Sequence, residues 1–302
     1  MTLESNSQER NPFFTIVIPT YNRADILPFA ISTVINQVFK NWELIVVDDG
    51  SRDNTKEVVE GVADPRVYYR YQKNAERSAA RNNGVAHAKG RYVCFLDSDD
   101  FYDITYLQEM YNFIVKRNYP KELIIGSLVN WYSEKRQEEN RMPDINGPVA
   151  KWLFANPMTP TRVCVEKSIF NDYGFRDDVI IVEDTVLWVS LSNKYKVSLN
   201  RKAKAFYRCH EGNSISFENN AYGMRLKGLS IFFKDKESMV LSQEDKDRIL
   251  SDCYFGIFKH HAWHKRWFKA RKTMAEAILK YPNIRLKEKI YLLLFPMKWQ
   301  VN

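Results

Sequence analysis

Three stretches of this sequence are almost unbroken apolar runs that end in polar clusters: FFTIVIPT (13–20), ELIVVDDGS (43–51) and RYVCFLDSDD (91–100). A strand with one wet face alternates apolar and polar residues. A strand that is apolar throughout must be covered on both faces, which is the habit of mainly parallel sheets. The intervening segments read as helices. ADILPFAISTVINQVF (24–39) carries Ile26, Phe29, Ala30, Thr33, Val34 and Val38 on one stripe, with Pro28 tolerable in the first turn. RDNTKEVVEGVA (52–63), ERSAARNNGVAHA (76–88) and ITYLQEMYNFIVKR (104–117) follow as helices, with RVYYRYQ (66–72) as a further strand. The alternation predicts an α/β fold: a Rossmann-like, mixed but mainly parallel sheet with helices on both faces.

In such sheets ligands bind beyond the carboxyl ends of the strands. PTYNR (19–23), DDGS (48–51), YQKN (71–74) and DSDD (97–100) all fall at such ends. The last is the most demanding, because Asp97, Asp99 and Asp100 crowd three like charges behind a buried strand. Carboxylates repel one another, more so where the dielectric is low. Either one of them caps the next helix while the others sit in water, or a divalent cation gathers them together with an anionic ligand.

Beyond this region ELIIGSLVNWY (122–132) reads as a strand and 133–148 as a charged loop bearing glycine and proline. A short helix near VAKWLF (149–154), a strand near TRVCVEK (161–167) and a helix ending near Ser192 come next. From about residue 217 the texture turns helical, with at least three helices in 224–236, 246–281 and 285–295. The expected organisation is a disordered lead-in (1–12), an α/β domain (13–216) and a C-terminal helical extension (217–302).

Four cysteines without CxxC spacing, in a chain of 302 residues, suggest reduced thiols and a cytoplasmic setting. The polar N-terminus has no apolar signal core, and IYLLLF (290–295) is too short to span a bilayer. A net charge of +8 points to an anionic partner.

In order, IVIPTYNR, NQ (36–37), ELIVVDDGSRDNT, ERSAARNNG, GRYVCFLDSDD, VEDTVLW and YRCHEGNSIS resemble the family-2 glycosyltransferases of GT-A fold, over residues 14 to 216. Each piece is weak alone, but their order and spacing are specific. The resemblance implies an inverting transfer from a nucleotide-sugar, with uridine the expected base, to a glycan or lipid-linked saccharide. Such enzymes build surface polysaccharide at the cytoplasmic face of the membrane.

The resemblance also assigns roles. Pro19, Tyr21 and Arg23 lie on the first donor loop, where Tyr21 has a ring face to offer a base or sugar; its alternative is a rim aromatic packed on the next helix. Asp49 meets the nucleoside, while Asp48 holds the turn. Arg81 is expected to reach the base, with Arg77 one turn earlier on the same face; one of the two meets the diphosphate instead, unless both serve to neutralise the acidic rim. Asp97, Ser98 and Asp99 are the D-x-D motif. Asp99 is expected to bind Mn²⁺ or Mg²⁺ and Asp97 the ribose or metal waters. His210 is a second metal candidate, and Arg208 and Ser216 are candidates for the diphosphate. Asp184 is the expected general base, removing the proton of the acceptor hydroxyl as it attacks. Glu183 contacts the acceptor or orients the loop. Both also suit the first turn of a helix, where the macrodipole favours carboxylates.

In the tail, FKHHAWHKRWFKARK (258–272) mixes base with aromatics, and Trp263 and Trp267 are spaced to share a helix face, as are Lys265, Lys269 and Lys272. A peripheral contact with anionic membrane and a bundle packed for structure alone are both open. Nucleic acid is not an expected partner, since no recognition motif accompanies the base. Two other functions compete. A sugar-phosphate nucleotidylyltransferase would want a glycine-rich loop where PTYNRAD stands. A non-catalytic carbohydrate-binding subunit would not need Asp97, Asp99 and Asp184 together.

Overall fold

The computed structural model describes residues 11–140, 142–209 and 221–294. It divides into two compact units: Met1–Asp177 with Leu187–Glu211, and Asp178–Val186 with Gly212–Asn302.

The first unit is built on one nine-stranded sheet. Its strands are β1 (Phe14–Thr20), β2 (Trp42–Asp48), β3 (Val67–Tyr71), β4 (Tyr92–Phe95), β5 (Phe101–Tyr102), β6 (Glu122–Ser133), β7 (Arg136–Asn140), β8 (Val163–Glu166) and β9 (Lys196–Arg208). They lie in the order β3-β2-β1-β4-β8-β6-β9-β5, with β7 paired to β6. β3, β2, β1 and β4 are mutually parallel, as are β6 and β9, while β8, β5 and β7 pair antiparallel. The sheet is therefore mixed and mainly parallel, and the unbroken apolar runs are its buried centre. Every residue of β1, β2 and β4 is buried.

The helices of this unit include the short α2 (Thr55–Glu60) and α5 (Val149–Ala155), and both faces of the sheet are covered. On one, Phe14, Ile16 and Ile18 of β1 pack with α1 (Leu27–Ile35) and α4 (Tyr106–Lys116), through Leu27, Ile31, Leu107 and Met110. The other face receives α3 (Glu76–His87). A Cβ on Gly84 of that helix would lie 2.3 Å from Val17 Cγ1, so glycine sets how closely α3 approaches β1. Phe95 on this face meets Phe170 and Phe175 edge-on.

Besides the two-residue β5, two elements depart from the sequence expectation. The loop expected at 133–148 contains β7, which forms a hairpin with β6; its residues RQEEN are all polar, so no alternation marks them. β9 was not expected at all. Its KVSLNRKAKAFYR interleaves bases with small apolar residues and lacks an apolar run, yet it pairs with β6 on both sides of a register shift at Gly126/Ser127.

The second unit is helical: α7 (Ala221–Phe232), α8 (Gln243–Trp263), α9 (Trp267–Lys280) and α10 (Leu286–Leu294). Tyr254, Phe258, Ala262, Ala270, Met274 and Leu292 form its core. Lys289 of α10 is fully buried and donates to the carbonyls of Ala277 and Tyr281 at the end of α9, beside the Tyr281 and Ile284 amides that they also accept. The expected helix face shared by Trp263 and Trp267 is not formed. The chain breaks between α8 and α9, with Lys265 left-handed at φ 55°, so Trp263 ends one helix and Trp267 begins the next; Lys265 likewise falls outside the helix that carries Lys269 and Lys272. No helix among the described residues is long and apolar enough to cross a membrane.

Candidate functional site

The carboxyl ends of β1, β2, β3 and β4 carry one connected rim. Asp48 is buried, accepting from Tyr69 Oη at 2.7 Å and from the Ser51 amide at 2.8 Å. It holds the turn, as the sequence suggested. Burial, together with the Asp48 carboxylate, pushes the Tyr69 phenol up. Asp49, 5% exposed, accepts from Gln72 Nε2 at 2.7 Å and the Ala75 amide at 2.9 Å, which joins β2 to the start of α3. Between them and Ser51 the chain must pass through Gly50 at φ 85°, where a Cβ would sit 2.8 Å from the Asn74 nitrogen. The loop after β1 is tied to the same turn. Asn22, left-handed at φ 51°, donates its amide to Ser51 Oγ and accepts the Arg52 amide, each at 2.8 Å. Tyr21 beside it is 44% exposed. Pro19 is buried within β1 opposite Val47, and Arg23 is half-buried where its carbonyl accepts from Ile26 and Leu27.

From α3, Arg81 places Nη2 2.7 Å from Asp97 Oδ1, its side chain 3% exposed against 28% for Asp97. Its guanidinium also lies 5.2 Å from the centre of the Phe175 ring. Arg77, half-buried, is one turn earlier on the helix. Arg81 thus realises the neutralising role open to it, and in doing so it orients a carboxylate of the D-x-D turn.

Within that turn Asp97, Ser98 and Asp99 are half-buried, and Asp100 is turned inward at 1% exposure. A three-point relay, invisible in the sequence, holds it. Thr161 Oγ1 accepts from the Asp97 amide at 3.2 Å and donates to Asp100 Oδ2 at 2.8 Å; Asp100 Oδ1 accepts from the Arg208 amide at 3.1 Å. Desolvation, with the negative Asp97 and Asp99 beside it, pushes the Asp100 carboxyl well above the usual carboxylate range. Thr161→Val keeps the shape but removes both the donor to Asp100 and the acceptor for Asp97. We expect a loss of about 1–3 kcal/mol in urea unfolding, the usual cost of leaving buried polar groups unsatisfied. A loss under about 0.5 kcal/mol would show that the relay is dispensable.

Arg208 ends β9. Its guanidinium lies over three rings, at 4.8 Å from Phe29, 5.5 Å from Trp131 and 5.9 Å from Phe101. Phe101 is itself stacked on Phe206 at 4.7 Å. Ring faces on this scale fix the position of a cation. His210 and Ser216 lie outside the described residues.

Asp184 and Glu183 open α6 (Glu183–Ser192). Glu183 is 4% exposed, whereas Asp184 is half-buried and accepts from the Thr185 amide and hydroxyl. The residue before them, Val182, is left-handed at φ 71°, an outlier for a β-branched side chain. Gly228 of α7 lets that helix come close: a Cβ there would lie 3.0 Å from the Ile181 carbonyl oxygen.

The donor set suits a hard divalent cation. Among the described residues no three His, Cys, Asp or Glu side chains converge to form an all-protein cage. Asp97 and Asp99 supply carboxylate oxygens at a half-open turn, and Mg²⁺ or Mn²⁺ is commonly held by one or two carboxylates with phosphate oxygens completing the shell.

Comparison with known proteins gives a consistent picture. A family model, Glycosyl transferase family 2, matches residues 15–176. The chain is 37% identical over 196 residues to WfgD of Escherichia coli, a UDP-Glc:alpha-D-GlcNAc-diphosphoundecaprenol beta-1,3-glucosyltransferase; the match covers 61% of this chain and 71% of that protein. It is 29% identical over 294 residues to the GalNAc(5)-diNAcBac-PP-undecaprenol beta-1,3-glucosyltransferase of Campylobacter jejuni, covering 94% and 92% of the two chains. Against two Rickettsia relatives it spans 36% of their length. Among solved structures, S. aureus TarS 1–349 in complex with UDP-GlcNAc aligns with a TM-score of 0.63 at 18% identity, over 93% of this chain and 86% of that one. At that identity the likeness is one of fold.

Proposed function

The chain belongs to glycosyl transferase family 2, with the GT-A type of sheet, and from that premise we propose that it is an inverting, metal-dependent glycosyltransferase. Its donor is a UDP-sugar, glucose by analogy with WfgD, and its acceptor is a hydroxyl of a diphospholipid-linked saccharide. The observation that supports this best is the single rim at the carboxyl ends of parallel strands, where Asp49 holds the start of the helix from which Arg81 pairs with Asp97, two residues before Asp99.

On this reading Asp49 receives the nucleoside, with Tyr21 offering a ring face and Pro19 and Arg23 shaping the loop. Arg81 fixes Asp97 toward the ribose, and Arg77 meets the diphosphate. Asp99 holds Mn²⁺ or Mg²⁺, with Asp97 and Ser98 at the same turn and His210 as a further ligand. When bound, the cation supplies charge neutralisation for the diphosphate as it departs. Arg208, its guanidinium fixed among rings, and Ser216 add polar contacts to the same group.

The chemistry is one displacement. The acceptor oxygen forms a bond to the anomeric carbon as the bond from that carbon to the diphosphate oxygen breaks. The bonding pair leaves with UDP, and the hydroxyl proton passes to Asp184. Buried Glu183 orients the turn from which Asp184 meets the acceptor. The enzyme works at the cytoplasmic face of the membrane, where lipid-linked intermediates are extended.

The test is transfer of labelled glucose from UDP-glucose, with Mn²⁺, to a synthetic GlcNAc-diphospholipid in detergent. Formation of a β-linked disaccharide lipid supports the proposal. Release of pyrophosphate from UTP and glucose 1-phosphate instead would favour the nucleotidylyltransferase. Nucleotide binding without turnover over a broad acceptor panel would favour the non-catalytic subunit.

A further inference from the structure

The corner between α8 and α9 and the outer face of α9 carry large apolar side chains in water. Trp263 is 65% exposed, Phe268 82% and Leu279 82%. Phe268 and Leu279 are eleven residues apart on α9, which at 100° per residue puts them within about 20° of each other around the axis. The opposite side of α9 is the packed one, where Ala270, Met274 and Ala277 are fully buried. So α9 is apolar on two sides, and the second is not used by its own bundle.

Along the chain, the charges at the α8–α9 corner have one sign. Between Asp252 and Glu276 the chain has no acid. In the same interval Lys265, Arg266, Lys269, Arg271 and Lys272 are all exposed. On α10, which packs on α9, Leu286, Ile290 and Leu294 recur every four residues and are 39%, 42% and 57% exposed, a second apolar stripe in water.

We propose that the α8–α9 corner and the outer face of α9 form a docking surface for an anionic lipid bilayer. Trp263, Phe268 and Leu279 enter the headgroup layer while the five cations meet lipid phosphates. The charge pattern selects this occupant. In a two-fold dimer through the same face, five cations would oppose five cations across the interface. Nucleic acid would satisfy the cations but gives an exposed aliphatic such as Leu279 nothing to bury against. The inference rests, for its purpose, on the lipid-linked acceptor proposed above: a catalyst docked on the bilayer meets its acceptor at the membrane surface.

The experiment is co-sedimentation of the full chain with phosphatidylcholine vesicles, with and without about 30% phosphatidylglycerol, at rising salt. Wild type should bind the anionic vesicles at low salt and neutral ones at least about tenfold more weakly. Trp263→Ser with Phe268→Ser should lower binding about tenfold or more, as should Lys265→Gln with Arg266→Gln and Lys269→Gln. All these positions are exposed, so melting temperature and the UDP-induced thermal shift should not change. Absence of vesicle binding, or binding that the variants leave intact, would overturn the proposal. So would an RNA oligonucleotide that binds as tightly as the vesicles, or a dimer that dissociates in the variants. Glucose transfer to the detergent-dispersed acceptor, read on the same samples, separates the two ideas. Transfer without vesicle binding overturns the docking surface alone; vesicle binding without transfer or UDP shift overturns the proposed reaction alone.

Discussion

Asp184→Asn is expected to lower glycosyl transfer about a thousandfold while leaving UDP binding and melting temperature nearly unchanged. General-base assistance is typically worth two to four orders of magnitude. Asn has the same shape and can still accept from the Thr185 amide and hydroxyl that hold Asp184. It cannot take a proton. The expected signature is therefore a fall in kcat with little change in the KM for the donor. The local structure argues that this carboxylate is placed rather than incidental. Val182 holds a left-handed conformation at φ 71°, which costs a β-branched residue of order 1–3 kcal/mol and persists only where the surroundings impose it. Glycine at 228 lets α7 press against the turn that contains it. Glu183 is buried and Asp184 is not, so of the two acids only Asp184 retains access to an incoming hydroxyl. A variant that transfers within about tenfold of wild type would remove Asp184 from the base role.

What could be read from the sequence follows from how locally each feature is encoded. β1, β2 and β4 announce themselves because a strand buried on both faces has no polar residue to hide it, and the polar clusters at their ends mark the rim. Gly50 and the Asp48–Asp49 pair were legible for the same reason: a sharp turn and its supporting acids sit within four residues. β9 was not, because its partner β6 begins some seventy residues earlier and its own face alternates base with alanine. The relay through Thr161 is beyond any local reading, since it joins residues 61 positions apart and the threonine carries no motif. The helical tail erred in an instructive way. Trp263 and Trp267 have the spacing of one helix face, but periodicity cannot see a single left-handed residue, and Lys265 breaks the helix between them. That break is also what leaves Trp263 and Phe268 together at an exposed corner.

Asp99→Ala should abolish Mn²⁺-dependent stabilisation by UDP and lower transfer by more than about a thousandfold, yet leave the unliganded protein as stable as wild type or slightly more so. The two effects have opposite signs for one reason. Asp97 and Asp99 crowd negative charge at the end of β4, and burial together with these neighbours holds the Asp100 carboxyl well above its ordinary range. Arg81 offsets part of that charge through Asp97. Removing Asp99 relieves repulsion worth up to about 1 kcal/mol after solvent screening, which a urea unfolding curve can resolve. The same removal takes away the carboxylate proposed to hold the cation that joins the protein to the diphosphate. At a ligand concentration about 100-fold above Kd, wild type should gain about 2.7 kcal/mol from UDP with Mn²⁺, and the variant close to none. A variant destabilised by more than about 2 kcal/mol without ligand would mean that Asp99 is a structural residue whose loss damages the turn. A variant that keeps the Mn²⁺-dependent shift would place the cation elsewhere. A like-charged cluster that Arg81 offsets in part is what a site kept for a cation and a diphosphate, rather than for folding, should look like.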